Sequence, residues 1–515
     1  MVFVQGSFPG PVACRLAGRL FHVAFASSLA LAVTAAQADS SRAARDLRLT
    51  RAYYQHLVAT PPRLAELELL MTMLPKGGDL HHHYTGAIYG ETYLDWVGRQ
   101  GFCVHRGTLR IETQPPPPPA EPGNECLGAE DVRKDPAVYR GLLMRWSDKD
   151  YGNHFHDQPP PDQQFFDTFG YFGPAAGYSP REGLLMLRQR AKDENVQYLE
   201  TMLRSPPPVE IPPAGALLDA LPPESPPATV DATLAPLYEQ LDQDESVRGT
   251  VRTYRDQLAG WAQGLDDDGF TLRLQTYVSR NSPPAQVFAG LYMAFRAAED
   301  NPLVVGVNIV GPENGPVAMR DYALHMRMFH FLRQRFPATR CAMHAGELVE
   351  GMVPPEGLRN HIALAVNEAG AQRIGHGIDV VHEADAVGLL AQMKRRDVAV
   401  EINLSSNDFI LGVSGDAHPV TVYRRHGVPI VISTDDAGVS RSSLSHEYLL
   451  FASRYRPSYD ELKRVVHDSL RHAFLSPAEK AGQLRELDRR FARFEGAVAA
   501  MPASARASSR PGATN

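Results

Sequence analysis

The stretch Arg340-Cys-Ala-Met-His-Ala-Gly-Glu347 sets the pattern of this chain. A short apolar run ends in a histidine, a metal-ligand type, and a carboxylate able to carry a proton follows three residues later. The same pattern recurs. Short apolar runs cover Lys76–Leu80, Val196–Met202, Leu272–Val278, Leu303–Ile309, Arg340–Met343, Gln372–Ile374, Ala399–Ile402 and Pro429–Ile432. Amphipathic segments of helix length, such as Tyr322–Phe336 and Leu358–Ala369, separate several of them. Strands buried on both faces of a parallel sheet read as continuous apolar runs, and Val304-Val-Gly-Val-Asn-Ile309 and Pro429-Ile-Val-Ile432 fit that description. Eight alternations of strand and helix imply an α/β protein with a (β/α)8 barrel of TIM type.

In such a barrel the active residues lie at the C-terminal ends of the strands. Here the chemistry-bearing residues fall there one after another. His81 and His83 end run one, Arg280 follows run three, and Gly311 and Glu313 follow run four. His344 and Glu347 end run five, His376 ends run six, Ser406 and Asn407 follow run seven, and Asp435 and Asp436 end run eight.

On an extended strand His81 and His83 point the same way and can share one metal, while His82 points away. With His344 and Asp435 they make three imidazoles and a carboxylate, the donor set of an open catalytic site. Zinc suits these donors, and iron or manganese can also fit them. The metal would lower the pKa of its water towards neutrality. Glu347 is spaced to stand beside the metal and protonate a ring nitrogen. His376, between glycines in Arg373-Ile-Gly-His-Gly377, can take a proton from the water and orient it. Asp435 and Asp436 diverge as neighbours, so one serves the metal and the other a substrate. Each feature alone has a plainer reading: Glu347 as a helix N-terminal acid, His376 as a core histidine, Asp435-Asp436 as a solvated turn. No zinc-protease helix, phosphate loop, dinucleotide fingerprint or serine elbow is present, and the absence of Cys-x-x-Cys excludes the cytidine-deaminase type of zinc site.

The 515 residues carry a formal charge of −7, so no basic excess points to nucleic acid. Arg15 and Arg19 precede an apolar run from Leu20 to Val33 and the small-residue pattern Ala36-Gln-Ala38. That is the form of a secretory signal over residues 1–38. The mature protein is then exported, secreted or periplasmic, without stable membrane insertion. Cys14 leaves with the signal, Cys103 and Cys126 flank a Pro-rich insertion where an oxidising compartment permits a disulfide, and Cys341 reads as a buried thiol. Residues 39–73 form a helical extension in two pieces broken at Pro61-Pro62, with Thr60 as a cap and Leu64, Leu67, Met71 and Leu74 on one face. The barrel occupies 74–500, with insertions near 103–161 and 205–230. Pro115–Pro122, Pro159–Pro161 and Pro206–Pro227 read as surface excursions, and 501–515 as a disordered tail.

Together these residues resemble the adenosine deaminase family of metal-dependent hydrolases. The matching elements are Pro75-Lys-Gly-Gly-Asp-Leu-His81-His-His83 with Gly86, His344-Ala-Gly-Glu347, Arg373-Ile-Gly-His376-Gly, Ser406-Asn407 and Ser433-Thr-Asp435-Asp436. Length, export signal and the first motif resemble the longer, secreted growth-factor-related branch and its bacterial relatives. The resemblance implies hydrolysis of the 6-amino group of adenosine or a close analogue to inosine and ammonia, with one Zn2+ per chain. It implies His81, His83, His344 and Asp435 as ligands, Glu347 as proton shuttle at purine N1, and His376 as water-orienting base. Asp436 would contact N7 and the Gly311 amide N3.

The chain departs from the short form of the family at the residue that contacts ribose and after the last motif. Thr85 stands where that form has an Asp, and Ala437-Gly438 where it has Pro. Two further readings stay open: deamination of adenine or of a 5'-modified or N6-substituted adenosine, and a non-catalytic extracellular binding protein on the same scaffold. The segment Ser40–Met73 and the insertions are available either to pack on a second subunit of a homodimer or to cover the barrel.

Overall fold

The structure is a computed structural model and describes residues 40–114, 125–153 and 158–502. The expected signal peptide, the segment Pro115–Pro122 and the tail beyond residue 502 lie outside them. The chain divides into two compact units, Leu57–Asp488 and a smaller one formed by 40–56 with 489–502. In the smaller unit the Thr50 hydroxyl donates to the carbonyls of Asp46 and Glu495, at 2.9 and 3.4 Å.

The large unit is a closed parallel barrel. Its strands are β1 (Gly77–His83), β2 (Val196–Met202), β3 (Thr271–Ser279), β4 (Val304–Val310), β5 (Ala342–Ala345), β6 (Arg373–His376), β7 (Ala399–Ile402) and β8 (Ile430–Ile432). β1 to β4 pair in order, as do β5 to β8. Bridges Val307–Cys341 and His82–Asp435 close the ring, so no barrel strand keeps a free edge. All eight runs read from the sequence are strands. Five of them extend further at their C-terminal ends, β3 and β4 by one residue each and β1, β5 and β6 because pairing continues through His81–His83, His344 and His376 after the apolar run has ended. These histidines are buried on the barrel wall, His83 alone being partly exposed, and backbone groups there must stay paired.

Inside the barrel the Arg373 guanidinium joins the carboxylates of Glu200 and Glu401, all fully buried. Leaving one member without its partner would strand a buried charge. Helix Pro284–Ala298 follows β3, Pro316–Arg335 follows β4, and Ala386–Arg396 follows β6.

The long connection after β1 holds an antiparallel sheet of Cys103–His105, Ile111–Glu112 and Cys126–Leu127. Cys103 and Cys126 are joined as a disulfide with Cα atoms 5.4 Å apart, and Cys341 is a buried free thiol. Prolines here start helices rather than only bounding loops. Pro161 and Pro227 occupy the first turns of Pro161–Ala176 and Pro227–Gln243, where a missing N–H costs nothing. The stretch 206–227 also holds the short helix Gly215–Asp219. In the N-terminal extension the second helix is Leu64–Met73, with Arg63 and not Thr60 at its N-cap position and no side chain capping it. Thr60 instead receives a hydrogen bond from Arg456. Leu64 is exposed, and Leu70 takes its place beside Leu67, Met71 and Leu74 on the buried face. Among the described residues no helix is long and apolar enough to cross a membrane.

Candidate active site

The C-terminal ends of the strands surround a cleft of about 330 Å³, within the usual range for a small-molecule site. Its walls carry His83, Thr85, Gly311, His344, Glu347, His376, Asp435 and Asp436. His81 lies beneath them, fully buried. Every site residue read from the sequence is therefore in one place. His82 points the other way, as strand alternation requires, and its Nδ1 meets Thr201 Oγ1 at 2.8 Å.

Four donor atoms converge. His83 Nε2 lies 3.4 Å from His81 Nε2 and 3.1 Å from His344 Nε2. Asp435 Oδ1 lies 3.3 Å from Nε2 of both His81 and His83. One proton can be shared between His83 Nε2 and His344 Nε2, but all four donor atoms stand within the mutual spacing that a single cation would collect. Donors on a tetrahedral cation at bond lengths of about 2.0–2.1 Å would stand about 3.3–3.4 Å apart, which is the spacing here. The set therefore fits a zinc-sized ion.

The candidate ligands are held from behind. His81 Nδ1 pairs with Glu401 Oε2 at 2.8 Å and His344 Nδ1 with Asn308 Oδ1 at 2.9 Å, the outer contacts that orient ligating rings. A Cβ on Gly375 would stand 2.7 Å from His81 Cε1, so only glycine leaves that ring its place. Asp435 has φ +59° and His376 φ +67°, conformations that cost residues with a side chain on the order of 1–3 kcal/mol. The Asp435 N–H donates to the His81 carbonyl at 2.9 Å, and its carbonyl accepts from the His83 N–H at 3.1 Å. Thr434 Oγ1 donates to Asp79 at 2.6 Å. These bonds hold the strained turn.

Burial works against charge on His81, yet hydrogen bonds to Asp435 and Glu401 raise its pKa to about 10. A cation at Nε2 would displace that proton. Burial likewise opposes ionisation of Asp435, but the hydrogen bond and charge of His81 hold it well below the usual carboxylate range. Burial keeps the other rings neutral, lowering His83 to about 4 and His376 to about 3. Glu347 and Asp436 shift the opposite way. Burial, then the charge of Asp435, raises both well above the carboxylate range, so each can donate a proton at neutral pH. His376 Nε2 faces Glu347 Oε1 at 3.7 Å and Asp435 Oδ2 at 3.9 Å.

Glu347 sits on a turn held by Glu313. The Glu313 carboxylate accepts from the Gly346 N–H at 3.1 Å and the Glu347 N–H at 2.9 Å, and meets His361 Nδ1 at 2.6 Å. Arg280 lies 3.5 Å from Glu313 and donates to the His344 carbonyl at 2.7 Å. Asp436 lies so close to Gly86 that a Cβ there would be inside its carboxylate.

Sequence reasoning missed the far wall: Phe165, Phe166 and Phe169 from helix Pro161–Ala176, with Tyr277 from β3. No chemistry-bearing motif marks them in the sequence, and the chain reaches the phenylalanines through Pro159–Pro161, which reads as a surface excursion. The supporting roles of Glu401 and Asn308 were also missed, although both lie on strands already recognised.

A family model described as adenosine deaminase matches residues 251–490. The chain is 30% identical over 247 residues to an adenosine deaminase of Serratia proteamaculans, covering 48% of this chain and 68% of that protein. It is 32% identical over 232 residues to an adenine deaminase of Rhizobium rhizogenes, covering 44% of this chain and 66% of that protein. The apo structure of the N6-methyl-AMP deaminase of Arabidopsis thaliana shares the fold, with TM-score 0.51 and 16% identity over 82% of this chain and 98% of that one.

Proposed function

The chain belongs to the adenosine deaminase family, and on that premise we propose that it hydrolyses the 6-amino group of adenosine, or of a close purine nucleoside, to inosine and ammonia. The observation that carries this reading is the convergence of four metal-donor atoms with a carboxyl, Glu347, held protonated beside them. His81, His83, His344 and Asp435 would hold zinc, which when bound supplies the acidity that makes a water nucleophilic near neutral pH. Glu347 passes its proton to N1 as the C6–O bond forms, then carries the new hydroxyl's proton to the departing amino group. The next water restores its proton. Asp436, protonated by its surroundings, donates to N7, and the Gly311 amide is available to N3. His376 orients the attacking oxygen.

The test is the ultraviolet spectrum of adenosine incubated with purified protein, with Glu347→Gln beside it. Conversion to the inosine spectrum that falls on the order of 10²–10⁴-fold in Glu347→Gln, at unchanged zinc content, is expected. No turnover by folded, zinc-loaded protein would refute the substrate assignment. A second reading, adenine or a 5'-modified or N6-substituted adenosine, is favoured by Thr85 at the ribose position and by the aromatic wall of Phe165, Phe166 and Phe169. Ammonia release from those compounds decides between the two. The reading includes export to the periplasm or medium, which the Cys103–Cys126 disulfide supports.

A further inference from the structure

A chain of buried hydrogen bonds runs from a backbone amide to the far side of His376. The Val420 N–H donates to His418 Nδ1 at 3.1 Å. A ring nitrogen that accepts from a backbone N–H must carry its lone pair, so the proton of His418 is on Nε2. That Nε2 lies 3.1 Å from Asn407 Oδ1, which accepts from it. The other end of the same amide, Asn407 Nδ2, then donates to His376 Nδ1 at 2.9 Å. The Asn403 amide stands behind it at 3.5 Å. Asn407 and His418 are fully buried, so water does not compete for these bonds. A backbone N–H cannot turn round, so each link fixes the next.

We propose that His418 and Asn407 are positioning residues that lock His376 as its Nε2–H tautomer, so that His376 meets the attacking water as a hydrogen-bond donor and not as the base that removes its proton. This rests on the deaminase reading above and gives His376 a different role from the one read from the sequence. A donor at Nε2 also suits what it faces, an oxygen of the Glu347 carboxyl and one of the Asp435 carboxylate. The proton balance of the reaction loses nothing, because Glu347 alone carries a proton to N1, from the hydroxyl to the leaving amine, and from the next water. His376 instead aims the oxygen's lone pair at C6.

The experiment is nitrogen-15 NMR of zinc-loaded protein labelled at histidine, with the His376 signals assigned by their loss in His376→Gln. The expected spectrum has a pyrrole-type Nε2 and a pyridine-type Nδ1. The reverse pattern would overturn the proposal, and this readout decides it whether or not adenosine is turned over. In Asn407→Asp the new carboxylate should draw a proton onto His376 Nδ1, and an unchanged Nδ1 signal there would show that the relay does not act. Turnover supplies the functional arm. Asn407→Ala should lower kcat on the order of 10- to 100-fold, with KM and zinc content within about twofold of wild type. A rise in KM with kcat unchanged, or loss of zinc, would mark Asn407 as structural only. Absence of turnover in wild type would refute the deaminase reading and leave the tautomer to the NMR result.

Discussion

Replacing Gly375 by alanine should loosen the metal centre without touching a ligand. The added Cβ would lie 2.7 Å from Cε1 and 2.9 Å from Nδ1 of His81, and 3.5 Å from Glu401 Oε2. Ordinary carbon contacts are about 3.5–4.0 Å, so the ring must retreat by roughly 0.7 Å. His81 is fully buried and has no free space to retreat into except by moving its Nε2 and stretching the 2.8 Å bond to Glu401. Metal–nitrogen distances tolerate about 0.2 Å. Losing an outer-shell contact typically weakens metal affinity by about 10- to 100-fold, or roughly 1.4–2.7 kcal/mol, and overpacking adds about 1–3 kcal/mol of destabilisation. Competition with a zinc-binding chromophore, on protein whose fold is checked by circular dichroism, measures the affinity. A folded Gly375→Ala protein that binds zinc as tightly as wild type would refute the argument that this glycine makes room for His81.

Three further outcomes follow from the same geometry. Chelation should lower the melting temperature and added zinc restore it, since an ion bound at 100 times its Kd stabilises the folded chain by about 2.7 kcal/mol; differential scanning fluorimetry with and without chelator reads this directly. Activity should fall as pH rises, because Glu347 and Asp436 work as proton donors and burial and the charge of Asp435 move their ionisation upward from the usual carboxylate range; a kcat/KM profile with no high-pH limb would count against those roles. Burial raises Glu447 to about 7 from 4.5, against hydrogen bonds from Ser405 and Ser442. Because its folded pKa is the higher, the stability it contributes is present in full below pH 4.5 and is lost as pH rises to about 7, by about 3 kcal/mol. Urea unfolding across that window should show a loss smaller in Glu447→Gln than in wild type by about that amount, because Asp79, also raised to about 7, titrates in both.

The histidines explain why the strands were legible and their ends were not. A run such as Ala399–Ile402 or Pro429–Ile432 is apolar because both faces of a barrel strand are covered, so burial writes itself into the sequence. At His344 and His376 the barrel wall continues while the chemistry changes, and only the observed pairing shows that the strand goes on. Thr60 and Leu64 show the local limit. A threonine before prolines fits a cap, but the chain enters its helix at Arg63 because Thr60 is engaged by Arg456, far along the sequence.

What the sequence determined by itself is the barrel and its candidate metal donors. Period and order are local properties: apolar runs, helix-length spacers, and polar residues at the strand ends. What only the tertiary structure decided are the contacts made across long sequence separations. Glu401 behind His81, Asn308 behind His344, Glu313 under the Glu347 turn and the relay from Val420 to His376 each join residues from different connections. The aromatic wall from helix Pro161–Ala176 arrives the same way. No spacing in the chain encodes such pairs, because barrel closure, not sequence proximity, brings them together.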